Sequence, residues 1–260
     1  MIDIDTHDSA AEGSGLFALP FTVADAALII VPVPWDATSS QGWKSAGTPA
    51  AVLEASRYVE LFDRRRGALY RHGIAMDDSD TGIAELNRRA AALQARPGFA
   101  GRDLTGPCEQ VNQVIARQVA THLARGKRVG LLGGDHSVSY GALAAQLARD
   151  PAIGVLQIDA HCDLRRAFDG IRYSHASIMY NALEQLELQN LVQVGVRGLC
   201  DFEADYVAAS SRVSTFFDAD LHASRARGES WLSLCNQIVA PLPARVYLSF
   251  DIDGLAPLWC

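Results

Sequence analysis

Short runs of consecutive apolar residues alternate along the chain with longer stretches in which apolar residues recur every three or four positions. Several runs are apolar at neighbouring positions rather than at every second one, as expected for strands that are covered on both faces. The pattern therefore predicts buried strands. They span residues 27–33, 129–133, 153–158, 191–196, 213–217 and 246–250, with a shorter strand at 74–76.

Helical spacing fills the segments between these runs. The first such segment follows Thr48-Pro49, where threonine can cap a helix and proline fits its first turn. The stretch 98–106 is rich in glycine and polar residues and is predicted to be a loop. The predicted helices span residues 50–62, 108–124, 140–148, 174–188, 201–210 and 230–239.

Strands that alternate with helices predict an α/β protein with a doubly wound, mainly parallel sheet and helices on both faces. No repeat, low-complexity tract or linker divides the sequence, so we expect a single domain over residues 1–260. In sheets of this kind, ligands bind beyond the carboxyl ends of the strands. Three predicted strands are followed there by polar clusters: Gly-Gly-Asp-His-Ser at 133–137, Asp-Ala-His-Cys-Asp at 159–163 and Asp-Ile-Asp-Gly at 251–254.

The spacing within these clusters suits metal ligation. Asp159, His161 and Asp163 alternate along a segment that, if extended, turns all three side chains to one face. Asp251 and Asp253 repeat the alternation. Without a cation, the gathered aspartates would repel one another, and some would have to take up a proton. We therefore predict a metal site formed by His136, Asp159, His161, Asp163, Asp251 and Asp253.

The donor set indicates which ions would bind. Carboxylates with two imidazoles and no thiolate suit Mn²⁺ or a similarly hard divalent ion better than structural zinc. Six ligands exceed the needs of one ion if some carboxylates bridge, so we expect two ions about 3.5–4 Å apart. The charges of two divalent cations and four carboxylates sum to zero. An added hydroxide therefore makes the site slightly negative, which favours a cationic substrate. Of the neighbouring residues, Cys162 is predicted to pack on the opposite face, and Asp135 either caps a helix or orients a ligand.

Three signatures carry a resemblance to a known family. They read Gly-Gly-Asp-His-Ser at 133–137, Asp-Ala-His-Cys-Asp-Leu-Arg at 159–165 and Ser-Phe-Asp-Ile-Asp-Gly-Leu-Ala-Pro at 249–257. Together with segments 34–40 and 47–49, they make the sequence resemble the ureohydrolases, the family of arginases, agmatinases and formimidoylglutamases. The resemblance implies an arginase-like three-layer αβα fold, two Mn²⁺ per protomer, and a homo-oligomer that is a trimer or a hexamer.

The resemblance also implies a role for each matching residue. One ion would be held by His136, Asp159, Asp163 and Asp251, and the other by His161, Asp159, Asp251 and Asp253. Asp163 would further orient the attacking hydroxide. His175 would act as a general acid toward the leaving amine, with an ordinary histidine at a helix start as the alternative. The implied reaction hydrolyses a guanidinium C–N bond of a linear amidine and releases urea and an amine.

The implied substrate is a small cationic guanidino or formimino compound. The surroundings of His175 resemble agmatinases, so an agmatinase-like activity is expected, with arginase- or formimidoylglutamase-type substrates as alternatives. Asp163-Leu164-Arg165 resembles formimidoylglutamase, in which an arginine can pair with a substrate carboxylate. Three arginines are therefore candidates for substrate binding, with a solvated loop as the other interpretation: Arg165, Arg166 and Arg172.

The sequence departs from the family after its last signature. It stops at Cys260, and Ala256 stands where relatives usually have aspartate. We expect the last strand and helices of the family to be missing, so that the buried strand 246–250 lacks a covering crossover helix. A truncated relative that binds metal without turnover is a second hypothesis. A third is a phosphatase of the haloacid dehalogenase type, but its Asp-Ile-Asp-Gly motif normally ends the first strand.

Composition argues against other classes of function. The net charge is −7 and no basic stripe is present, so a nucleic-acid-binding surface is not expected. Residues 1–12 lack a basic and apolar leader, and the most apolar stretch, 26–35, is too short to span a bilayer. We therefore predict a cytoplasmic protein without membrane contact. Its scattered cysteines have no pairing pattern, which predicts reduced thiols.

Overall fold

Parallel strands with intervening helices form two units of the chain. The structure is a computed structural model, and it describes residues 15–40 and 44–256. Expectations about segment 1–12 and about Cys260 concern residues outside these ranges. Among the described residues, the second unit comprises 100–105 and 139–256, and the first comprises the rest. The expectation of one domain over the whole chain stays a prediction.

The first unit contains a three-stranded sheet with strand order β2-β1-β3, in which both neighbouring pairs are parallel. Its central strand buries every second side chain, and Ile29, Val31 and Val33 are fully covered. The core of this unit therefore lies along that strand. The elements in chain order are β1 (Leu28–Val33), α1 (Thr48–Ala55), β2 (Ile74–Met76), α2 (Ile83–Gln94), α3 (Thr105–Ala124) and β3 (Arg128–Gly133).

The second unit contains a four-stranded sheet with strand order β6-β5-β4-β7, again parallel throughout. Its core includes Leu143, Val155, Met179 and Leu191, which come from two helices and two strands. The elements in chain order are α4 (Ser139–Arg149), β4 (Gly154–Ile158), α5 (Ile178–Gln185), β5 (Leu191–Val196), α6 (Asp201–Ala209), β6 (Val213–Phe217), α7 (Asp218–Ala226), α8 (Trp231–Val239) and β7 (Val246–Phe250).

These two parallel sheets confirm the predicted α/β class, and all seven predicted strands are present within a residue or two of their expected bounds. One face of the last of them is exposed, which agrees with the expectation that no helix covers it. β7 lies at the edge of its sheet, and Val246, Leu248 and Phe250 are exposed on one face. Among the described residues, no helix is both long and apolar enough to cross a bilayer.

Two predicted helices are shorter than expected. α1 ends at Ala55 and continues only as a 3-10 turn, Ser56–Tyr58, so the prediction of a helix to residue 62 is wrong. The Ser56 hydroxyl donates to the Leu53 carbonyl at 2.7 Å, and such a bond competes with helix propagation. The predicted helix 174–188 likewise consists of a 3-10 turn followed by α5.

Other local predictions missed regular structure. The predicted loop 98–106 contains a 3-10 turn, Gly101–Leu104, and the first residues of α3. Two helices, α2 and α7, were not predicted. α2 buries only Ile83 and Ala90, and α7 buries no residue, so both are surface helices in which charged and polar residues interrupt the apolar ones.

Candidate metal centre

The loop after β4 begins with a buried carboxylate. Asp159 is 1% exposed, and each of its two oxygens receives a hydrogen bond. Oδ1 accepts the backbone N–H of His161 at 2.7 Å, and Oδ2 accepts the amide of Gln157 at 2.8 Å. The backbone of the loop and a side chain of the preceding strand thus orient this carboxylate together.

The imidazole of His161 lies between two carboxylates. Its Nδ1 is 3.1 Å from Oδ2 of Asp253 and 3.7 Å from Oδ1 of Asp159. One ligand atom from each of these three residues lies within 4.8 Å of the other two. Two carboxylates and an imidazole at this spacing suit a divalent cation such as Mn²⁺. The structure thus brings together three of the six predicted ligands within the second unit.

The same two carboxylates change the titration of the histidine. The neighbouring carboxylates of Asp159 and Asp253 raise the pKa of His161 to about 10, although burial opposes the shift. Two negative charges beside the ring favour the imidazolium form. In the metal-free protein His161 therefore keeps its proton at neutral pH, and a cation bound to its ring nitrogen would have to displace that proton.

The loop after β7 packs directly against Asp159. Asp251 donates its backbone N–H to the Ile158 carbonyl at 2.9 Å, which continues the pairing of β7 with β4. Oδ1 of Asp253 accepts the backbone N–H of Ala160 at 3.1 Å. A Cβ on Gly254 would lie 2.9 Å from the backbone nitrogen of Asp159, so this close approach requires glycine. These contacts hold Asp251 and Asp253 beside the β4 loop.

Asp163 stands apart from this group of three. Its φ of 53° lies in the left-handed region, which is uncommon for a residue with a side chain and is concentrated at functional sites. The extended segment therefore ends before Asp163, and the alternation that places Asp159 and His161 on one face does not apply to Asp163. Its carbonyl accepts the N–H groups of Met179 and Tyr180 at the start of α5. A role for Asp163 as a ligand stays a prediction.

Cys162 packs as predicted. Its side chain is fully buried in the apolar core of the second unit. Burial raises the pKa of its thiol to about 12, which keeps the thiol protonated and disfavours metal binding. The other described cysteines, Cys108, Cys200 and Cys235, are also free thiols.

The Gly-Gly-Asp-His-Ser cluster belongs to the first unit. A Cβ on Gly134 would lie 1.8 Å from the carbonyl oxygen of Trp35, so the glycine allows two backbone segments to touch. The buried Asp135 accepts hydrogen bonds from the backbone and hydroxyl of Thr38, both at 2.9 Å, and from the backbone of Ser137 at 3.0 Å. Asp135 thus caps the turn and fastens segment 34–40. His136 begins that turn, His136–Val138, and its ligand role stays a prediction.

The predicted substrate loop places its charged groups against aromatic rings. The guanidinium carbon of each arginine lies within 6 Å of a ring centre. Arg165 is 5.3 Å from Phe168, Arg166 is 4.7 Å from Phe202, and Arg172 is 5.5 Å from Tyr173. The His175 and Phe168 rings pack edge to face, with their centroids 5.4 Å apart. The substrate-binding role of the arginines and the catalytic role of His175 stay predictions.

The sequence model of the arginase family matches residues 26–260. The chain belongs to the arginase family. This assignment confirms the resemblance expressed in the three signatures, and hydrolysis of a guanidino group is thereby supported at the level of the family.

Two arginase-family relatives match most of the chain. The N(1)-aminopropylagmatine ureohydrolase of Synechocystis sp. is 30% identical over 236 residues, which are 90% of this chain and 69% of the relative. The enzyme of the same name from Thermus thermophilus is 32% identical over 233 residues, with the same coverage of both chains. The agmatine ureohydrolase of Thermoplasma volcanium superposes with a TM-score of 0.67 at 21% identity, over 92% of this chain and 71% of that one. This superposition confirms the arginase-like three-layer fold.

Three residues outside the sequence signatures hold the loops of the site in place. Gln157 and Gln193 are buried glutamines next to the Asp159 loop. Arg197 donates to the carbonyls of Asp253 and Leu255 and so ties down the β7 loop. The sequence carried one signal for the glutamines, namely a polar residue inside each of two strongly apolar strands.

Proposed function

We propose that this arginase-family chain is a Mn²⁺-dependent ureohydrolase, which cleaves the guanidinium group of an agmatine-type amine to give urea and an amine. The observation that carries the proposal is the convergence of Asp159, His161 and Asp253 in two of the three family signatures. Carboxylates at this density need a cation to offset their repulsion. They also favour a positively charged substrate over an anionic one.

The donors of Asp159, His161 and Asp253 fit a divalent ion. By the family resemblance, a second ion would also use the remaining predicted ligands, which are His136, Asp163 and Asp251. When bound, such ions would lower the pKa of water toward neutrality and so supply a hydroxide nucleophile near neutral pH. Asp159 accepts hydrogen bonds from Gln157 and from the His161 backbone, and Asp253 accepts one from the Ala160 backbone. These bonds orient both carboxylates before an ion binds.

The proposed reaction consumes one water. A bond forms between the water oxygen and the guanidinium carbon, and the bond from that carbon to the substituted nitrogen breaks. The departing nitrogen needs a proton, which His175 would deliver as a general acid and recover from the water that has added to the carbon. The products are urea and a protonated amine, so atoms and charge balance.

An amine-bearing substrate is favoured over an amino acid. Two relatives that each match 90% of the chain are named N(1)-aminopropylagmatine ureohydrolases, and both are at least 30% identical to it. The arginines that could bind a substrate carboxylate each lie over an aromatic ring, and Arg165 also lies 3.8 Å from the buried Glu203. Existing partners reduce their availability for a carboxylate, which argues against arginine and formimidoylglutamate as substrates.

The proposal predicts a substrate order. Purified protein loaded with Mn²⁺ is assayed for urea release from N(1)-aminopropylagmatine, agmatine, guanidinobutyrate and arginine, and for formamide release from formimidoylglutamate. We expect the two amine-bearing guanidines to give the highest kcat/KM. Asp253→Asn should abolish release, whereas Asp205→Asn on the exposed face of α6 should not change it. Preference for arginine or formimidoylglutamate would refute the substrate class. Bound Mn²⁺ with no turnover of any of these compounds would favour a metal-binding relative without activity.

A further inference from the structure

Two glutamine side chains lie fully buried inside the four-stranded sheet. Gln157 is in β4 and Gln193 is in β5, and both are 0% exposed. They are direct neighbours in the parallel register, and Thr215 of β6 is the next residue in the same row. Parallel strands covered on both faces normally carry apolar residues, and buried polar groups are tolerated only when they are hydrogen-bonded. A row of polar residues at this depth therefore calls for a specific set of partners.

Hydrogen bonds run along this row toward Asp159. The hydroxyl of Thr215 donates to Oε1 of Gln193 at 2.9 Å, and Nε2 of Gln193 donates to Oε1 of Gln157 at 2.7 Å. Nε2 of Gln157 then donates to Oδ2 of Asp159 at 2.8 Å. All three donors point the same way, so each bond polarises the next. The row ends on a carboxylate that is predicted to bridge two ions.

The remaining amide hydrogens hold the backbone of the same loop. Nε2 of Gln193 also donates to the Cys162 carbonyl at 2.7 Å, and Nε2 of Gln157 lies 3.4 Å from the His161 carbonyl. Reversing the Gln157 amide would set its oxygen against a carboxylate oxygen, so the network itself selects the amide orientation. The two glutamines thus fix the Asp159 carboxylate and the loop that carries His161.

We propose that Gln157 and Gln193, anchored by Thr215, are positioning residues that preorganise the Asp159 loop for metal binding. This inference rests on the proposed function, because the ligand role of Asp159 belongs to it. Groups that orient metal ligands typically change metal affinity by about 10- to 100-fold when they are removed. Neither glutamine is proposed to touch the metal or the substrate.

The test separates metal affinity from folding. Methionine matches glutamine in length but lacks its donors and acceptor, so the variants are Gln157→Met, Gln193→Met and the double variant. Each single variant removes the bond between the two glutamines, so a buried donor or acceptor of the remaining glutamine loses a partner. Each single variant should therefore unfold at a lower temperature. The double variant removes both amides but still leaves Oδ2 of Asp159 and the Cys162 carbonyl without these donors, so it should recover only part of that loss. Its affinity for Mn²⁺ should still be about 10- to 100-fold weaker than in the parent chain.

Mn²⁺ affinity is measured by titration with detection of free Mn²⁺ by electron paramagnetic resonance, and stability by thermal unfolding of the metal-free protein. Gln185→Met is the matched control, since this glutamine is partly buried and hydrogen-bonded in the same unit but makes no bond to a predicted ligand. Its Mn²⁺ affinity should be unchanged. A double variant with the parent affinity overturns the inference, as does an affinity that merely follows stability. If the parent chain itself binds no Mn²⁺, the proposed function fails first and the inference fails with it.

Discussion

His175 occupies the start of a 3-10 turn, His175–Ser177, and its ring packs edge to face with the Phe168 ring. It is partly buried, and the preceding Ser174 and the following Ser177 are fully buried and joined through their hydroxyls at 2.8 Å. The turn is thus fixed on both sides of the histidine. A fixed imidazole can present a ring nitrogen to a departing amine without first losing conformational freedom.

At the residue scale we predict that His175→Asn lowers kcat for urea release by about 10²- to 10⁴-fold, the usual contribution of a general acid. Affinity for Mn²⁺ should stay at the parent value, because His175 is not among the predicted ligands. The matched control is His222→Asn on the exposed helix α7, which should leave both quantities unchanged. Steady-state kinetics and Mn²⁺ titration measure the two effects. Parent-like turnover in His175→Asn would assign this histidine a structural role only.

The sequence predicted some site residues better than others for a physical reason. Asp159, His161 and Asp253 follow strand ends, and the ends of parallel strands meet at one edge of a sheet. Asp163 follows the same strand, but its left-handed backbone ends the extended spacing on which the prediction relied. The contribution of Gln157 and Gln193 was not predicted, because hydrogen bonds across a sheet depend on strand register. Strand register is fixed by tertiary pairing.

At the scale of elements, a buried hydrogen-bonded pair ties β2 to α3. Asp77 follows β2, and its Oδ2 lies 2.7 Å from Nε2 of His122 and 3.2 Å from Nε2 of Gln118, both on α3. Burial alone would raise the pKa of Asp77, but hydrogen bonds with Ser79, His122 and Gln118 outweigh it and hold the pKa below its ordinary value. Folding therefore favours the ionised carboxylate.

A lowered pKa sets the direction of the pH dependence. The stabilisation is complete above the unfolded-state pKa of about 3.9 and is lost as pH falls through the lower folded-state value. We predict that Asp77→Asn reduces the free energy of unfolding at neutral pH by about 1–3 kcal/mol, since it weakens a buried hydrogen-bonded pair. The variant should also lose less stability than the parent on acidification below about pH 4.

Urea unfolding at several pH values measures both effects. The control is Asp78→Asn, which neutralises an exposed carboxylate next to Asp77 and should keep the acid dependence of the parent chain. The same acid dependence in Asp77→Asn and in the parent would exclude Asp77 as the source.

The elements also differ in how far the sequence could predict them. β1 and β4 were predicted because continuous apolar runs mark them. α2 and α7 were missed because both carry many charged and polar residues, so neither forms the apolar stretch that marked the other helices in the sequence. The apolar sequence of β7 is typical of a covered strand, but cover depends on tertiary packing, and the face of β7 that carries Leu248 and Phe250 is exposed.

At the scale of the whole molecule, metal binding and stability are linked. An ion that binds the folded chain but not the unfolded one raises the free energy of unfolding by mass action. Within the second unit, the ligands lie on loops after β4 and β7, and these strands pair directly through five registered residues. A cation held by both loops would therefore add a cross-link between adjacent strands, beyond relief of the repulsion between Asp159 and Asp253.

We predict that Mn²⁺ at 100 times its dissociation constant raises the free energy of unfolding by about 2.7 kcal/mol for one site, and that a chelator reverses the increase. Asp253→Asn should weaken the ion's contacts and lose most of the increase, whereas Asp205→Asn, on exposed α6, should retain all of it. Denaturant unfolding with and without Mn²⁺ measures the change. Hydrogen exchange should slow on metal addition in peptides that contain 159–163 and 251–254. An equal increase in Asp253→Asn and in the parent chain would mean that the stabilising ion binds elsewhere.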